Sequence, residues 1–487
     1  ASGGAIPALV IFHPSGVEKR AAMAGPRLPF EIDDAIDDSL VTAHAGVPLL
    51  IEAFRVSGAA AELDRVVAIK QRARGLTASQ MAESLFALWV VGGERCEDLA
   101  MLREDRALEA LLGHGFPAPQ TARDFLDAFD QPALPLWQGE RSQIPGEGER
   151  LQGLAQVNQR LIAFLQERRP QTVATIDLDA TILESRKRQA ERTWDGRTGY
   201  HPMIAVWAEQ DIILVDEFRA GNVPAHGDHL RVLQRAAAVA QAAGAKRLLV
   251  RSDSAAYEQD TLRWLDDKKH GYAISADMSQ GLTAAIAALP ATAWQDAGDE
   301  ADAVRHWAEV AYVPTDRRAN RDSPPPPRYL VLRITKKQGV LFADGSSTRH
   351  YAVVTNLPDP ADGCGLDLIR WQRGKAGTVE HAHHVLTNEL AAEALPAANF
   401  AANAAWFRLN VLLYNLLSAF KRTALPEDLH NARPKRLRFV LLDGIGKVVR
   451  HARETLLRFS QAPRRQLADR ARLALAVGPP ALAPCAA

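Results

Sequence analysis

Two aspartates at the end of one apolar segment are the residues best suited to chemistry. Residues 172–181 read Thr-Val-Ala-Thr-Ile-Asp-Leu-Asp-Ala-Thr, which predicts a buried strand that ends in Asp177 and Asp179. Aspartate is rare in strands and costly to bury without a partner, so this pattern indicates a metal ion or a charged partner. The alternative is that the strand has ended, and that the acids are solvated or cap the next segment.

A further aspartate follows another predicted strand. Residues 246–250 are predicted to form this strand, and Asp253 comes just after it in Arg-Ser-Asp-Ser. Residues 172–275 are predicted to form three antiparallel strands, a helix, and two strands separated by another helix. This is the order expected of an RNase H-like fold with a mixed five-stranded sheet, in which the fourth strand lies beside the first. Asp179 and Asp253 would then converge on one site.

Glu380 is the candidate for a third acid, on a helix predicted to pack over that sheet. Phosphodiester chemistry with two metal ions needs three or four carboxylates around ions about 3.5–4 Å apart. Hard cations such as magnesium prefer carboxylate oxygen to imidazole or thiolate. Asp179, Asp253 and Glu380 could supply such a set.

These segments together resemble the DDE transposases of bacterial insertion sequences, and among them the insertion-sequence 1380 group. The resemblance covers residues 42–458 and rests on Asp-Leu-Asp-Ala-Thr at 177–181, Val-Arg-Ser-Asp-Ser at 250–254, and Glu380 followed by Asn-Phe-Ala-Ala-Asn-Ala-Ala-Trp at 399–406. It implies an α/β fold with an RNase H-like catalytic core interrupted by a mostly β insertion. An all-α N-terminal domain would precede the core, and a helical basic C-terminal region would follow it.

The resemblance also implies a function. It implies an enzyme that binds the terminal inverted repeats of a transposon, cleaves the ends and joins the 3′ hydroxyls to target DNA. Asp179, Asp253 and Glu380 would be catalytic and would hold two Mg²⁺ ions, for which Mn²⁺ can substitute. Asp177 is the second choice for the first acid, because strand alternation places it on the same face as Asp179. The expected partner is double-stranded DNA, bound by a homodimer on paired ends.

The residues around Glu380 depart from the family pattern. Related enzymes carry Tyr, Arg and Lys near the third acid. This sequence has Arg373, Ala376 and Thr387 at those positions, and Lys375 precedes Ala376. Because the family residues contact end phosphates, Arg373 and Lys375 are candidates for that contact. The departures also leave an alternative function, a catalytically impaired or domesticated DNA-binding protein derived from a transposase.

Further histidines and basic residues are candidates for contacts with DNA. Arg251 could bind a phosphate or close the strand end in an ion pair. Trp194, in the basic connection 186–197, could stack on a flipped base or pack in a hairpin.

From residue 421 onward, 14 Lys and Arg outnumber 5 acids, which indicates a DNA-backbone surface or a solvated basic face. The remaining candidates are Arg186, Lys187, Arg188, Lys435, Arg436, Arg438, Lys447 and Arg450, together with His381, His383 and His384, which could instead lie on the surface.

The helical segment before the sheet has a possible DNA-reading motif. Gly75 can end one helix and Thr77 can cap the next, predicted over 78–91. This arrangement resembles a helix-turn-helix, and the alternative is an ordinary helical hairpin.

A chain of 487 residues is too long for one ordinary core. Within the insertion, strands are predicted over 329–335, 339–342 and 350–355. The predicted divisions are an irregular lead-in (1–40), a helical N-terminal DNA-binding domain (41–130), a linker (131–150), the first part of the RNase H-like core (151–293), the β-rich insertion (294–368), the second part of the core (369–425) and the basic C-terminal region (426–487).

Composition indicates the compartment. Cys96, Cys364 and Cys485 have no paired spacing, which fits a reducing cytosol and excludes a zinc ribbon or a disulfide framework. No apolar run approaches the roughly 18–20 residues of a membrane span. Residues 1–14 lack the basic start and long apolar core of a signal peptide. We therefore expect a cytoplasmic bacterial protein without membrane contacts, associated with the nucleoid when it binds DNA.

Overall fold

Strands and helices alternate along most of the protein in a mixed α/β arrangement. The computed structural model describes residues 40–69, 75–314, 326–337, 339–451 and 454–477. Apart from Leu40, the predicted lead-in lies outside these residues. Strands β1 to β17 are, in order, Val41–Thr42, Trp137–Gln138, Gln143–Ile144, Val173–Ala180, Leu183–Glu184, Glu191–Arg192, Thr198–Tyr200, Met203–Trp207, Ile212–Glu217, Arg247–Ser252, Gly271–Ala276, Gln295–Asp296, Ala303–Val310, Arg328–Lys336, Thr348–Thr355, Gly446–His451 and Glu454–Phe459.

The helices precede, cover and follow the sheets that these strands form. Among the described residues, no helix combines the length and the apolar character needed to cross a bilayer. Helices α1 to α15 are, in order, Val47–Val56, Ala59–Val66, Ala78–Val90, Leu99–Leu102, Arg106–Leu112, Pro119–Asp127, Glu149–Arg168, His229–Ala242, Gln259–Asp267, Gln280–Ala287, Gly365–Arg373, Val379–Asn388, Phe400–Ala424, Pro434–Leu437 and Ala462–Ala476.

The largest sheet has the strand order β12-β13-β14-β15-β11-β10-β4-β8-β9. Strands β4, β10 and β11 run parallel to one another, and β8 and β9 continue the sheet from β4 as an antiparallel meander. Strand β10 therefore lies beside β4, and the predicted mixed α/β class is confirmed. Apolar residues of β4, β8 and β9 are almost fully buried, which places the hydrophobic core on both faces of this part of the sheet.

The sheet is larger than the predicted five strands, because β12 to β15 continue it in the described part of the chain. Strand β15 pairs antiparallel with β11, so that Ala273 lies opposite Thr355, and β13 and β14 follow in register. This pairing covers the edge that β11 would otherwise expose. The strand predicted over 339–342 is wrong, since Gly339 and Gly345 adopt positive φ in the turns between β14 and β15.

Helix α3 is buried over most of its length, which favours the ordinary helical hairpin over the helix-turn-helix for this pair of helices. Thr77 caps α3 as predicted, accepting a hydrogen bond from the Gln80 backbone N–H at 3.2 Å. Every residue from Met81 to Val90 is buried, and Trp89 packs edge-on against Trp406 of α13 with ring centroids 4.7 Å apart. A recognition helix must expose one face to the DNA groove, and residues 81–90 of α3 expose none.

Helices α7 and α13 cover the outer edge of β9. Helix α13 is buried nearly all round, as expected of a helix surrounded by other elements. Its Asn415 accepts a hydrogen bond from the Ile213 backbone N–H at 2.7 Å and donates to Asn158 of α7 at 2.6 Å. These amide contacts satisfy the backbone at the strand edge, which is thereby closed to further pairing.

The C-terminal region is not wholly helical, contrary to the prediction. Strands β16 and β17 form an antiparallel hairpin, and β1 adds to it through the pairing of Val41 with Lys447. Val448 is buried while Lys447 and Arg450 are exposed, and the β-branched pair Val448-Val449 favours a strand over a helix. Helix α15 then follows the hairpin.

Candidate active site

The parallel strands β4 and β10 bring two predicted acids to one edge of the large sheet. Asp179 is the penultimate residue of β4, and Asp253 follows β10 directly. The register aligns Asp177 with Arg251, so the carboxyl ends of both strands lie at the same edge. The Asp253 Oδ1 atom accepts a hydrogen bond from the Ala255 backbone N–H at 3.0 Å, which orients its carboxylate in the turn after the strand.

Helix α12 presents Glu380 to the same edge. Glu380 lies in the first turn, and its side chain is half exposed. One helical turn later, the His383 Nε2 atom lies 3.3 Å from the Asp179 carbonyl oxygen, which joins the helix directly to β4. The face that packs against the core consists of Val379, Ala382, Val385 and Leu386.

The ammonium group of Lys375 lies among the predicted acids. Its Nζ atom is 3.3 Å from Glu380 Oε1 and 4.0 Å from Asp179 Oδ2, and only 13% of the side chain is exposed. Burial acts to lower the pKa of Lys375, but the carboxylates of Asp179, Asp253 and Glu380 together raise it above its ordinary value. All three predicted acids therefore act on one cation of the protein itself.

Burial and crowding weaken the acidity of Asp179. Desolvation raises the pKa of Asp179 to about 6, the nearby Lys375 ammonium opposes this rise, and the charges of Asp253 and Glu380 add to it. A neighbouring cation stabilises the ionised form of a buried carboxylate more than that of an exposed one, because little water solvates the buried charge.

Asp177 and Arg251 form a buried ion pair beneath this edge. Arg251 donates from Nε to Asp177 Oδ1 at 2.7 Å and from Nη2 to Oδ2 at 2.6 Å. The hydroxyl of Thr378 also donates to Asp177, and Arg251 donates to the Trp371 carbonyl oxygen at 2.9 Å. Burial raises the pKa of Asp177, and the Arg251 guanidinium and the Thr378 hydroxyl act against that shift.

The ion pair with Arg251 gives Asp177 a different environment from Asp179, although strand alternation places both on the same face. Both oxygens of Asp177 accept hydrogen bonds and its side chain is fully buried, whereas Asp179 faces Lys375. For Arg251, the arrangement agrees with the ion-pair alternative, since three of its contacts are internal. Sequence patterns gave no signal for Thr378, which lies only two residues before Glu380 and ties the start of α12 to β4.

The three histidines near Glu380 are spread over different environments. His383 is buried, and burial lowers its pKa to about 4, so it is neutral at physiological pH. His384 is exposed and lies 3.1 Å from an Arg433 guanidinium nitrogen. Burial lowers the pKa of His381, which is only partly exposed. They do not form a common site with Glu380.

The predicted acids at this edge are carboxylates, the ligand type that hard divalent cations prefer. Within the described ranges, no three His, Cys, Asp or Glu side chains lie close enough together to bind one ion. Asp179 and Glu380 instead lie 4.0 and 3.3 Å from the Lys375 ammonium, so this edge attracts positive charge. Carboxylate oxygens without imidazole or thiolate favour Mg²⁺ or Mn²⁺ over Zn²⁺. Asp179, Asp253 and Glu380 are the residues that could hold such ions.

A small basic sheet continues from the same edge. Strand β5 follows β4 after two residues, and β7 precedes β8, so the three-stranded sheet β5-β7-β6 extends from the end that carries Asp179. Trp194 lies at its tip and is 78% exposed, which excludes the alternative that it packs inside a hairpin. Arg186 and Arg188 are exposed, and Lys187 reaches the Pro396 carbonyl oxygen at 3.5 Å.

Arg373 lies at the end of α11, shortly before Lys375. Its side chain is exposed, with the guanidinium carbon 5.8 Å from the centroid of the Tyr351 ring. Burial of part of the group lowers the pKa of Arg373, and the neighbouring Arg305 guanidinium adds to this effect. The Arg373 guanidinium therefore lies near the Tyr351 ring of β15, in the extension of the large sheet.

The C-terminal basic residues fall into two groups. Arg438 is used internally, because it donates to the carbonyl oxygens of Val90, Trp89 and Glu389 at 2.5, 2.9 and 2.7 Å. The other group is exposed and consists of Lys435, Arg436, Lys447 and Arg450, together with Arg458, which pairs opposite Lys447 in the hairpin and was not singled out from the sequence.

Comparison with known proteins identifies the family. No curated protein matches the chain. A cryo-EM structure of a piggyBac transposase synaptic complex with hairpin DNA is similar over 81% of this chain and 79% of that chain, at 8% sequence identity and a TM-score of 0.41, a level that does not bear on the chemistry. The family described as Transposase DDE domain group 1 matches residues 31–476. With nearly its whole length matched, the chain belongs to the DDE transposase family.

Proposed function

We propose that the protein binds the terminal inverted repeats of a bacterial insertion sequence, cleaves the ends and joins the freed 3′ hydroxyls to target DNA. The observation that carries this proposal is that Asp179 and Asp253 lie at the carboxyl edge of the neighbouring strands β4 and β10, and that Glu380 joins Asp179 beside one Lys375 ammonium. Membership of the DDE transposase family supports it independently. The strand order around β4 is the one expected of an RNase H-like core, and the insertion-sequence 1380 group is the proposed subgroup.

In this proposal the three acids hold two Mg²⁺ ions, for which Mn²⁺ can substitute. Such ions, when bound, activate the attacking oxygen and stabilise the leaving oxygen of the phosphodiester. The chain's own residues set the geometry. Asp253 is oriented by the turn at Ala255, and Glu380 is fixed relative to Asp179 by His383 and by the Thr378 contact with Asp177. Partial burial of Asp179 limits competition by water at this point.

The exposed basic residues are proposed to hold the DNA. Positive side chains that neutralise phosphates supply most of the sequence-independent affinity. Those nearest to the acids are Arg373 and the β5-β7-β6 sheet, where Trp194 could stack on a base displaced from the helix. Lys435, Arg436, Lys447 and Arg450 would contact the backbone farther along. Two chains, one on each end, would complete the assembly as a homodimer on DNA.

Cleavage of the element's own ends tests this function. The substrate is a plasmid that carries the gene with its native flanking DNA, incubated with the purified chain and Mg²⁺ or EDTA. We expect Mg²⁺-dependent cuts at both ends of the wild-type element and none with Asp179→Asn, which should still bind end DNA. Binding without any cleavage by the wild-type protein would favour the impaired or domesticated alternative, for which the altered residues around Glu380 are the only support.

A further inference from the structure

Lys375 occupies an unusual position for a residue expected to contact DNA. Its ammonium lies between two of the acids, 3.3 Å from Glu380 Oε1 and 4.0 Å from Asp179 Oδ2. The Lys375 and Asp179 side chains are 13% and 19% exposed, so solvent screens the attraction between these two groups little, whereas Glu380 is half exposed. The ammonium therefore neutralises part of a negative cluster that would otherwise repel itself.

The backbone that carries Lys375 is held at both ends. On one side, Arg251 donates to the Trp371 carbonyl oxygen and packs so closely on Gly374 that a Cβ there would lie 2.8 Å from Nη1. On the other side, the Thr378 hydroxyl donates to Asp177. The turn Gly374–Gly377 is thus fixed, whereas lysine has a flexible four-carbon stem. Its ammonium can leave the acids without any movement of the turn.

We propose that Lys375 is a resident counter-ion of the acidic cluster, which a divalent cation must displace in order to bind. The proposal rests on the proposed function, since it concerns the same acids. A divalent cation and an ammonium cannot both lie within contact distance of the same carboxylates without strong mutual repulsion. The divalent cation carries the larger charge and gains several oxygen ligands, whereas the ammonium offers only three hydrogen-bond donors. Lys375 therefore weakens cation binding while it keeps the acids together.

Cation affinity without DNA tests this role apart from activity. Mn²⁺ binding is measured by isothermal titration calorimetry on the full chain for the wild type, Lys375→Met, Lys375→Gln and Asp179→Asn, with Lys435→Met as a control at an exposed lysine. We expect Lys375→Met and Lys375→Gln to bind Mn²⁺ at least about tenfold more tightly than the wild type, because no ammonium has to be displaced. Lys435→Met should bind like the wild type.

The outcomes separate this inference from the proposed function. Mn²⁺ binding that depends on Asp179 but is unchanged or weaker in both Lys375 variants overturns the counter-ion role alone. A lack of any Asp179-dependent binding in all variants overturns the metal site and, with it, the proposed function.

Acylation of the wild-type protein tests the displacement of Lys375 by Mn²⁺ even if both Lys375 variants fail to fold. Displacement exposes the amine, so Mn²⁺ should increase acetic anhydride labelling of Lys375 several-fold relative to Lys435, as read by peptide mass spectrometry. Labelling of Lys375 that stays equal or falls when calorimetry shows Mn²⁺ bound contradicts the proposal.

Discussion

Arg251 and Asp177 face each other across the parallel strands β10 and β4 and form a buried, bidentate ion pair. The pair reaches beyond the sheet, because Arg251 also binds the carbonyl oxygen of Trp371 and Asp177 accepts the hydroxyl of Thr378. The segment from Trp371 to Thr378 carries Lys375, and helix α12, which contains Glu380, begins directly after it. The pair therefore fixes the third acid relative to the two strand-end acids.

Removal of Arg251 should destabilise the protein strongly. Arg251→Met leaves the Asp177 carboxylate buried without its guanidinium partner, and loss of one member of a buried pair typically costs about 3–5 kcal/mol. We expect a decrease of that size in the free energy of unfolding, measured by urea denaturation at neutral pH. The double variant Asp177→Leu with Arg251→Met removes both charges and should recover part of the loss.

Arg263→Met is the matched control for this prediction, since Arg263 pairs with Asp260 on an exposed helix face. Its effect on the free energy of unfolding should be small, as for most surface pairs. An Arg251→Met variant no less stable than this control would contradict the structural role of the pair.

His229 should make stability depend on pH. It is buried at the start of α8, and burial lowers its pKa to about 3, with the Arg219 guanidinium adding to the effect. Below pH 6.5, His229 becomes protonated in the unfolded chain but stays neutral in the folded protein. The free energy of unfolding therefore falls as the pH falls from about 6.5 towards 3. Between pH 7 and pH 5 the wild type should lose about 2 kcal/mol more than His229→Leu, a difference read from urea denaturation at both pH values. Equal losses in the two proteins would refute the assignment.

Removal of the Lys447 charge should weaken DNA binding, whereas removal of the Arg438 charge should lower stability. Lys447 is exposed on β16, so Lys447→Gln should preserve stability and lower the salt slope of DNA binding by about one. Arg438 donates to three backbone carbonyls, so Arg438→Gln should cost about 1.5–3 kcal/mol of stability. Fluorescence anisotropy at several salt concentrations and urea denaturation provide the two readings. An unchanged salt slope in Lys447→Gln would remove the β16-β17 hairpin from the DNA surface.

Trp194 should matter for DNA but not for folding. Because the side chain is 78% exposed, Trp194→Ala should leave the melting temperature unchanged. If Trp194 stacks on an unpaired base, the variant should lose about 1–3 kcal/mol of affinity for end DNA with an unpaired terminal base. A fully paired duplex of the same length serves as the control and should lose less. Equal affinity losses for both DNAs would contradict a stacking role.

The strands of the sheet core were predictable because their patterns are local. The apolar segments at 172–181 and 246–250 ended at Asp179 and near Asp253, and the order of elements alone placed β10 beside β4. The family resemblance favoured Asp179 over Asp177, but the different environment of the two carboxylates was not predictable, since strand alternation gives both the same face. It depends on the partner across the sheet, Arg251, whose contact is a property of the register.

Other features depend on contacts that sequence patterns do not reveal. Helix α3 has the length and cap of a recognition helix, but burial against α13 removes the face that DNA would need. The β12–β15 extension joins the large sheet because β11 has a free edge, a fact of topology rather than of composition. Lys375 was expected to contact phosphates, but its ammonium lies beside Glu380 and Asp179, which the fold brings together from α12 and β4.

Strand cleavage by the Asp253→Asn variant tests the central claim most directly. Asp277 supplies a matched control, because it follows the next parallel strand, β11, and is exposed. We predict that Asp253→Asn abolishes Mg²⁺-dependent cleavage of the element's own ends, that Asp277→Asn cleaves like the wild type, and that both variants bind end DNA equally in EDTA. Cleavage by Asp253→Asn at the wild-type rate would contradict the assignment of these acids as the active site.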